Sequence, residues 1–387
     1  MSTPNLKVLE VIPGTDRGGV QAWLLDVLRQ IDRNQIAIDF FVRNPEPGEC
    51  HGEIVGRRAR VFVSGGPRST WRHFARLRQL HRTEGPYDII HAHVHYYGGL
   101  VVLFARLLGV RVRLVHGHGG DLSEQKNRGI TRWLYVQLMK LLIQRFSTGG
   151  LGTSRSAAAV MFGHRWASDS RWKILSPCVD FSSFDRKTGT VEIRTKIGIP
   201  QEAIVIGHVG RFADEKNHHF LVEVANILAP RKPRVRFVLI GGGPLQGAVE
   251  RAIRERSLES HFIILAPRDD IPQLMLGAMD YFLFPSLYEG LGLALVEAQA
   301  AGLRCMASAA IPPEAIAVPS LVRQKALADG PEAWAEAILR HLAEPVPVSQ
   351  PEALRMVQQR FDIRRNAEQL VELYRGLHAK RPRTVSS

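Results

Sequence analysis

FLFPSLYEGLGLALVEAQAAG, residues 282–302, lays a strand, a loop and a helix end to end. An apolar run stops at Pro285 and a loop holds Glu289, Gly290 and Gly292; a helix then starts near Leu291 or Gly292 and carries Glu297. A short, wholly apolar strand followed at once by a helix is the unit of a parallel sheet covered on both faces. The unit recurs on either side. Residues 304–308 read as a further strand, and strands at 203–210, 235–240 and 261–265 alternate with helices at 217–228 and 244–256. A polar stretch at 181–200 interrupts the pattern. Before it, strands read at 7–12, 37–42, 60–63, 88–91, 112–116 and 148–151, with helices at 20–30, 70–83, 98–108 and 130–145 between them. The fold class is therefore α/β, with two doubly wound, Rossmann-like domains facing each other across a cleft, where open sheets bind ligands at the carboxyl ends of their strands. The expected domains are 1–185 and 186–361, with 362–387 supplying a last helix that packs back on the first domain and a basic tail.

A chain of 387 residues, 45% hydrophobic and 23% charged, is long enough for two ordinary globular cores. No apolar run is long enough to span a membrane, and MSTPNLKVLEVI lacks the basic and apolar blocks of a secretory leader. Cys50, Cys178 and Cys305 are too scattered for a disulfide framework or a zinc site, so a cytoplasmic location is expected. The net charge of +14 is uneven: residues 1–190 hold 27 Lys and Arg against 15 Asp and Glu, the remainder 24 against 22. Arg57, Arg58, Arg60, Arg68, Arg72, Arg76, Arg78 and Arg82 run on without an acidic residue among them. Such a half attracts phosphates, on an anionic membrane surface or a lipid-linked substrate. Nucleic acid is not an expected partner, because zinc knuckles, aromatic RNP strands and helix-turn-helix signatures are all absent from the sequence.

The loop and helix start at Gly290, Leu291, Gly292 and Leu293 offer backbone N–H groups to phosphate or sugar oxygens. Glu297, further into the helix, suits a ribose diol, and Glu289 stands at the helix mouth near a transferring group. VGRFADEKN, 209–217, brings Arg211 and Lys216 to one strand-end loop, where two cations stabilise the charge of a departing diphosphate. His91, His93 and His95 alternate along a strand and loop; strand-end packing and cleft lining explain them more simply than a metal face does.

Here the chain resembles the retaining GT-B glycosyltransferases of family 4 (group 1), in the branch that builds exopolysaccharide and capsule. The resemblance runs from about Val8 to Leu377. FPSLYEGLGLALVEAQAAGL carries the family's E-x7-E pattern, which implies that Glu297 holds the ribose and Glu289 approaches the donor sugar. GRF and EKN match its diphosphate-binding Arg and Lys, here Arg211 and Lys216; PGTDRGGVQ matches its first loop, making Gly18 and Gly19 ligand contacts. VRLVHGHGGD places His118 where the family has an active-site histidine. Two stretches depart from the pattern: SPCVD at 176–180, and ASAAIPPEAIA after Cys305, read as sugar-specificity variation. The resemblance implies a hexosyltransferase-type enzyme that retains anomeric configuration. Its donor is a nucleotide-sugar, with UDP the expected nucleotide. Its acceptor is a saccharide or polyprenyl-diphosphate-linked sugar at the inner face of the cell membrane. No cofactor and no metal are expected, and no D-x-D triplet for a metal-bound diphosphate occurs.

The sequence leaves rivals open. A nucleotide-sugar epimerase shares the architecture, and a catalytically silent sugar-nucleotide or membrane-binding scaffold would keep it without turnover. A dinucleotide oxidoreductase fits poorly, because the first loop reads G-x-x-x-G-G in place of G-x-G-x-x-G.

Overall fold

Apolar runs of three to seven residues build two parallel sheets in a computed structural model that describes residues 6–16, 18–64, 70–119, 129–184 and 189–379. Arg17, Arg68, the segment 185–188 of the polar stretch and the basic tail from Lys380 lie outside the described residues. The first sheet comprises β1 (Leu6–Ile12), β2 (Ile36–Val42), β3 (Val61–Val63), β4 (Ile89–Ala92), β5 (Val112–Gly117), β6 (Gly149–Gly152) and β7 (Trp172–Ile174). Its order is β3-β2-β1-β4-β5-β6-β7. The second comprises β8 (Ile204–Val209), β9 (Val235–Ile240), β10 (Phe262–Leu265), β11 (Tyr281–Phe284), β12 (Arg304–Ser308) and β13 (Val322–Lys325), in the order β10-β9-β8-β11-β12-β13. Each order reverses direction once, between β1 and β4 and between β8 and β11. Those two switch points are where an open α/β sheet leaves a crevice for a ligand.

The crossovers of the first unit use α1 (Gly19–Gln30), α2 (His51–Gly56), α3 (Thr70–Thr83), α4 (Gly98–Leu107), α5 (Ile130–Phe146) and α6 (Arg155–Phe162). The second unit uses α7 (Thr190–Lys196), α8 (His218–Arg231), α9 (Gln246–Glu255), α10 (Ile271–Gly277), α11 (Leu293–Ala300), α12 (Gly330–Ala343) and α13 (Gln350–Phe361). A final helix, α14 (Ile363–Ala379), follows. The compact units divide after Cys178, and the chain rejoins the first unit at Ile363. Val179 already belongs to the second unit, where its N–H donates to the Phe361 carbonyl at 3.0 Å. Within the first unit α14 packs on α1, and the Trp23 indole N–H donates to Asn366 Oδ1 at 2.7 Å.

Both sheets are buried on two faces, which explains why their strands read as continuous apolar runs. Phe41, Val101, Phe104, Met139 and Ile143 centre the first core, and Phe237, Tyr281, Leu283 and Trp334 the second. Each such side chain contributes about 1.5–3 kcal/mol by leaving water. Glu10, in the middle of apolar β1, is 0% exposed as well. A carboxylate in that position needs partners.

Candidate functional site

At the switch point of the second unit, the loops after β8 and β11 are fastened to each other. The β8 loop closes with a single turn, Asp214–Lys216, and Asn217 ends it in a left-handed conformation (φ 54°, ψ 45°) before α8 begins. Asn217 Nδ2 donates to the Pro285 carbonyl at 3.2 Å, and the Leu287 N–H donates to the Glu215 carbonyl at 2.8 Å. These bonds bring Lys216 Nζ to 2.5 Å from Glu289 Oε1, with the two side chains only 16% and 12% exposed. The ammonium also lies 5.1 Å from the centre of the Phe284 ring. An ammonium and a carboxylate held this far from water make a stronger hydrogen bond than an exposed pair does.

The β11 loop enters α11 through Gly292, whose φ of 96° strongly disfavours a side chain; a Cβ there would stand 3.1 Å from the Phe284 ring. No side chain caps the start of α11. The first N–H groups of the helix, with its dipole behind them, favour an anion. Leu291 is buried, Gly290 and Leu293 are half-buried, and Glu297 is half-buried on the same helix. Arg211 shares the loop of Lys216 but bonds outward, 3.1 Å from Glu215, with 62% of its side chain exposed. An exposed pair of that kind is worth at most about 1 kcal/mol, so the guanidinium is readily recruited elsewhere. Of the residues singled out in sequence, the structure thus joins Lys216 to Glu289 directly and sets Arg211, Gly290, Leu291, Gly292, Leu293 and Glu297 on the same two loops and helix.

A brace escaped the sequence reading. In GGGP, 241–244, Gly241 (φ 150°) and Gly243 (φ 154°) press against the β8 loop; a Cβ on Gly241 would stand 2.1 Å from the Gly210 carbonyl oxygen. Phe212 N–H donates to the Gly242 carbonyl at 2.9 Å and Leu245 N–H to that of Phe212 at 3.0 Å. The triple glycine was the available signal. The loop after β12 is braced too: Gln299 Oε1 accepts from the N–H groups of Ala317 and Val318, both at 2.9 Å.

In the first unit, Glu10 on β1 pairs in register with His91 on β4, and side chains two apart share a face. One face therefore collects Glu10, His91, His93, His116 and His118. His93 Nε2 lies 2.8 Å from Glu10 Oε2, and His93 Nδ1 lies 2.7 Å from His118 Nε2. The Tyr374 hydroxyl donates to Glu10 Oε1 at 2.8 Å, and its oxygen is 2.8 Å from His91 Nδ1. Burial alone would raise the Glu10 pKa; the electrostatic influence of His91 and the hydrogen bonds of His91 and His93 outweigh it and hold the carboxyl well below its ordinary range. Burial, then His91, bring His93 down to about 4. Burial and neighbouring histidines also push His116 and the half-buried His118 well below the ordinary imidazole value. Sequence spacing missed Glu10, His116 and Tyr374; the signals were a charge inside apolar LKVLEVI and a second H-x-H at 116–118.

The sequence grouped His95 with His91 and His93, but His95 turns away to the Gly119 carbonyl, 3.0 Å from its Nε2. His116 takes its place, and the nitrogens of His91, His93 and His116 lie within 4.8 Å of one another. The rings of His91 and His116 are stacked with 6° between their planes, so their in-plane lone pairs run parallel and do not converge. Both nitrogens of His93 are already engaged. As they stand, His91 and His93 are committed to hydrogen bonds with Tyr374, His118 and Glu10, and the three rings do not form a tetrahedral ligand set. Gly18 and Gly19 lie at the exposed start of α1, and a Cβ on Gly19 would meet open space among the described residues outside its own helix turn.

Two family models match the chain: a glycosyl transferase 4-like domain over residues 18–162 and glycosyl transferases group 1 over residues 190–361. EpsF of Bacillus subtilis (strain 168), assigned as a glycosyltransferase, is 31% identical over 97% of both chains. The Escherichia coli UDP-Gal:alpha-D-GlcNAc-diphosphoundecaprenol alpha-1,3-galactosyltransferase is 28% identical over 57% of this chain and 58% of its own. Anabaena HepE, solved in complex with UDP-glucose, shares the fold with a TM-score of 0.80 at 19% identity, over 96% of this chain and 100% of its own.

Proposed function

Because the chain belongs to the group 1 glycosyltransferases of family 4, with the GT-B fold, we propose that it moves a sugar from a UDP-sugar to a lipid-linked saccharide during surface-polysaccharide synthesis, with retention and without a metal. The donor end of this reading rests on one observation above the others: Lys216 and Glu289, distant in sequence, meet at 2.5 Å at a strand switch point. Lys216, with Arg211 swung from Glu215, neutralises the diphosphate, and the N–H groups from Gly290 to Leu293 add donors at the start of α11. Glu297 accepts from the ribose diol and Glu289 from hydroxyls of the donor sugar. Gly18, Gly19 and His118 keep the sugar-contacting roles that the family pattern implies for them. The bond from the anomeric carbon to the diphosphate breaks as the acceptor oxygen bonds that carbon on the same face. The acceptor proton passes to the departing phosphate oxygen, so no enzyme nucleophile is required.

The nucleotide and the lipid-linked acceptor come from the names of relatives, a donor bound to HepE and a diphosphoundecaprenol acceptor for the Escherichia coli enzyme. Titration with UDP, GDP and ADP in EDTA tests the donor: micromolar UDP binding that Glu297→Ala abolishes is expected, and no binding by folded protein refutes it. The acceptor reading draws on α5, where Ile130, Trp133, Leu134, Leu138 and Leu141 form a stripe more than half exposed at helical spacing, flanked by Arg132 and exposed Arg145. No helix among the described residues is long and apolar enough to cross a membrane, so this face would lie on the bilayer. Flotation with anionic but not neutral liposomes is expected; equal binding to both, or to neither, removes the membrane from the reading.

A further inference from the structure

We propose that Glu10 and His93 are positioning residues that fix His118 as the Nε2–H tautomer, leaving its Nδ1 as a lone-pair acceptor. Four contacts and the protons available to them fix each ring. Glu10 is 0% exposed, and among the described residues neither lysine nor arginine pairs with it. Burying an ionised carboxylate costs several kcal/mol unless hydrogen bonds surround it, and here a tyrosine and histidines supply them. An ionised carboxylate only accepts. The Tyr374 hydroxyl at 2.8 Å must therefore spend its one proton on Oε1, and His93 must carry a proton on Nε2, 2.8 Å from Oε2.

The rest follows in sequence. Tyr374, its proton committed, accepts from His91 Nδ1–H at 2.8 Å; His91 Nε2 is then bare, which agrees with its having no hydrogen-bond partner. His93, neutral and protonated at Nε2, has a bare Nδ1. Among the described residues its partner is His118 Nε2 at 2.7 Å, which must donate. His118 in turn is neutral, so its proton is fixed and its Nδ1 is an acceptor. His118 stands at the half-buried end of this chain, and its partners are buried. An imidazole locked this way accepts from a sugar hydroxyl and does not donate to one. That catalytic consequence rests on the role of His118 proposed above; the tautomer does not.

The experiment is nitrogen NMR of the full chain with labelled histidine, where the two ring-nitrogen shifts and their proton couplings identify each tautomer; the His118→Ala spectrum assigns the resonance. Wild-type protein should show His118 and His93 protonated on Nε2 and His91 on Nδ1. Glu10→Gln should preserve the His93 and His118 tautomers, because its carbonyl can face His93; its amide then donates to the Tyr374 oxygen, whose own proton turns to His91 Nδ1 and moves the His91 proton to Nε2. Glu10→Leu removes the acceptor, and the single His118 tautomer should be lost. His73, in the same unit and packed edge-on against Phe41 at 4.8 Å, should be unmoved and reports that the first unit is intact. His118 protonated on Nδ1 in the wild type overturns the proposal whether or not the variants fold. So does an unchanged His118 signal in Glu10→Leu, or equal loss in both variants. Transfer by His118→Ala would overturn the catalytic role and leave the tautomer standing, so the two failures are distinguishable.

Discussion

Mild acid should destabilise this protein, and the histidines set where. In the first unit His73 and His93 are brought down to about 4 and His116 well below its ordinary value, burial being the first cause for each. A histidine kept neutral in the fold forgoes a proton that the unfolded chain binds below 6.5, the ordinary value. The unfolded state then holds more protons, and stability falls as pH falls. The contribution is intact above 6.5 and is lost as pH drops toward 4. At about pH 5.5 each such group costs about 1.4 kcal/mol, so the three together cost about 4 kcal/mol, much of a typical domain's stability. Urea titrations at steps from about pH 7.5 to 5.5 measure this. Tryptophan fluorescence suits the assay, since Trp23, Trp71, Trp133, Trp166 and Trp172 belong to the first unit and Trp334 alone to the second. His73 packs edge-on against Phe41 at 4.8 Å, so His73→Phe keeps an aromatic there and should shrink the loss to about 3 kcal/mol. A stability that is flat across this range would refute the claim that these imidazoles are held neutral.

Other substitutions address the second unit. Lys216→Ala and Glu289→Ala should each lower turnover of the donor by at least about a hundredfold while circular dichroism stays native. Near-normal turnover in either would remove that residue from the chemistry. Gly241→Ala drives a methyl into the Gly210 carbonyl at 2.1 Å and should cost about 3 kcal/mol or more in urea unfolding. Gln299→Leu leaves the N–H groups of Ala317 and Val318 buried without their acceptor; a loss of about 2–4 kcal/mol is expected in the same assay.

The long strands were legible because both faces of each sheet are covered, which writes an uninterrupted apolar run into the sequence. β7 and β13 were not. Each is a sheet edge of three or four residues, and in both only the first residue is buried: Trp172 in WKI and Val322 in VRQK. Such segments carry neither a run nor an alternation. The residues proposed to hold the donor stood out in the sequence as loops at strand ends, with glycines where a close approach or a tight turn needs them. What stayed hidden was association at a distance. Glu10 and Tyr374 are 364 residues apart, and a hydrogen bond across that separation leaves no local spacing to find. His116 was quoted within VRLVHGHGGD yet passed over, because only the register between β4 and β5, with His91 opposite Leu114, puts His116 on the face of His91 and His93.

The return of α14 to the first unit carries a consequence for synthesis on the ribosome. Residues 179–362 form a continuous unit and can close as soon as they leave the exit tunnel. The first unit emerges earlier but cannot finish: Trp23 awaits Asn366, and the Glu10 carboxylate awaits the Tyr374 hydroxyl. During translation the older half is therefore the unfinished one, with an incompletely satisfied carboxylate at the centre of its sheet. A stall or premature stop before α14 would release a protein whose later-made half is sound and whose earlier-made half is not, a pattern that quality-control proteases would meet at the N-terminal end.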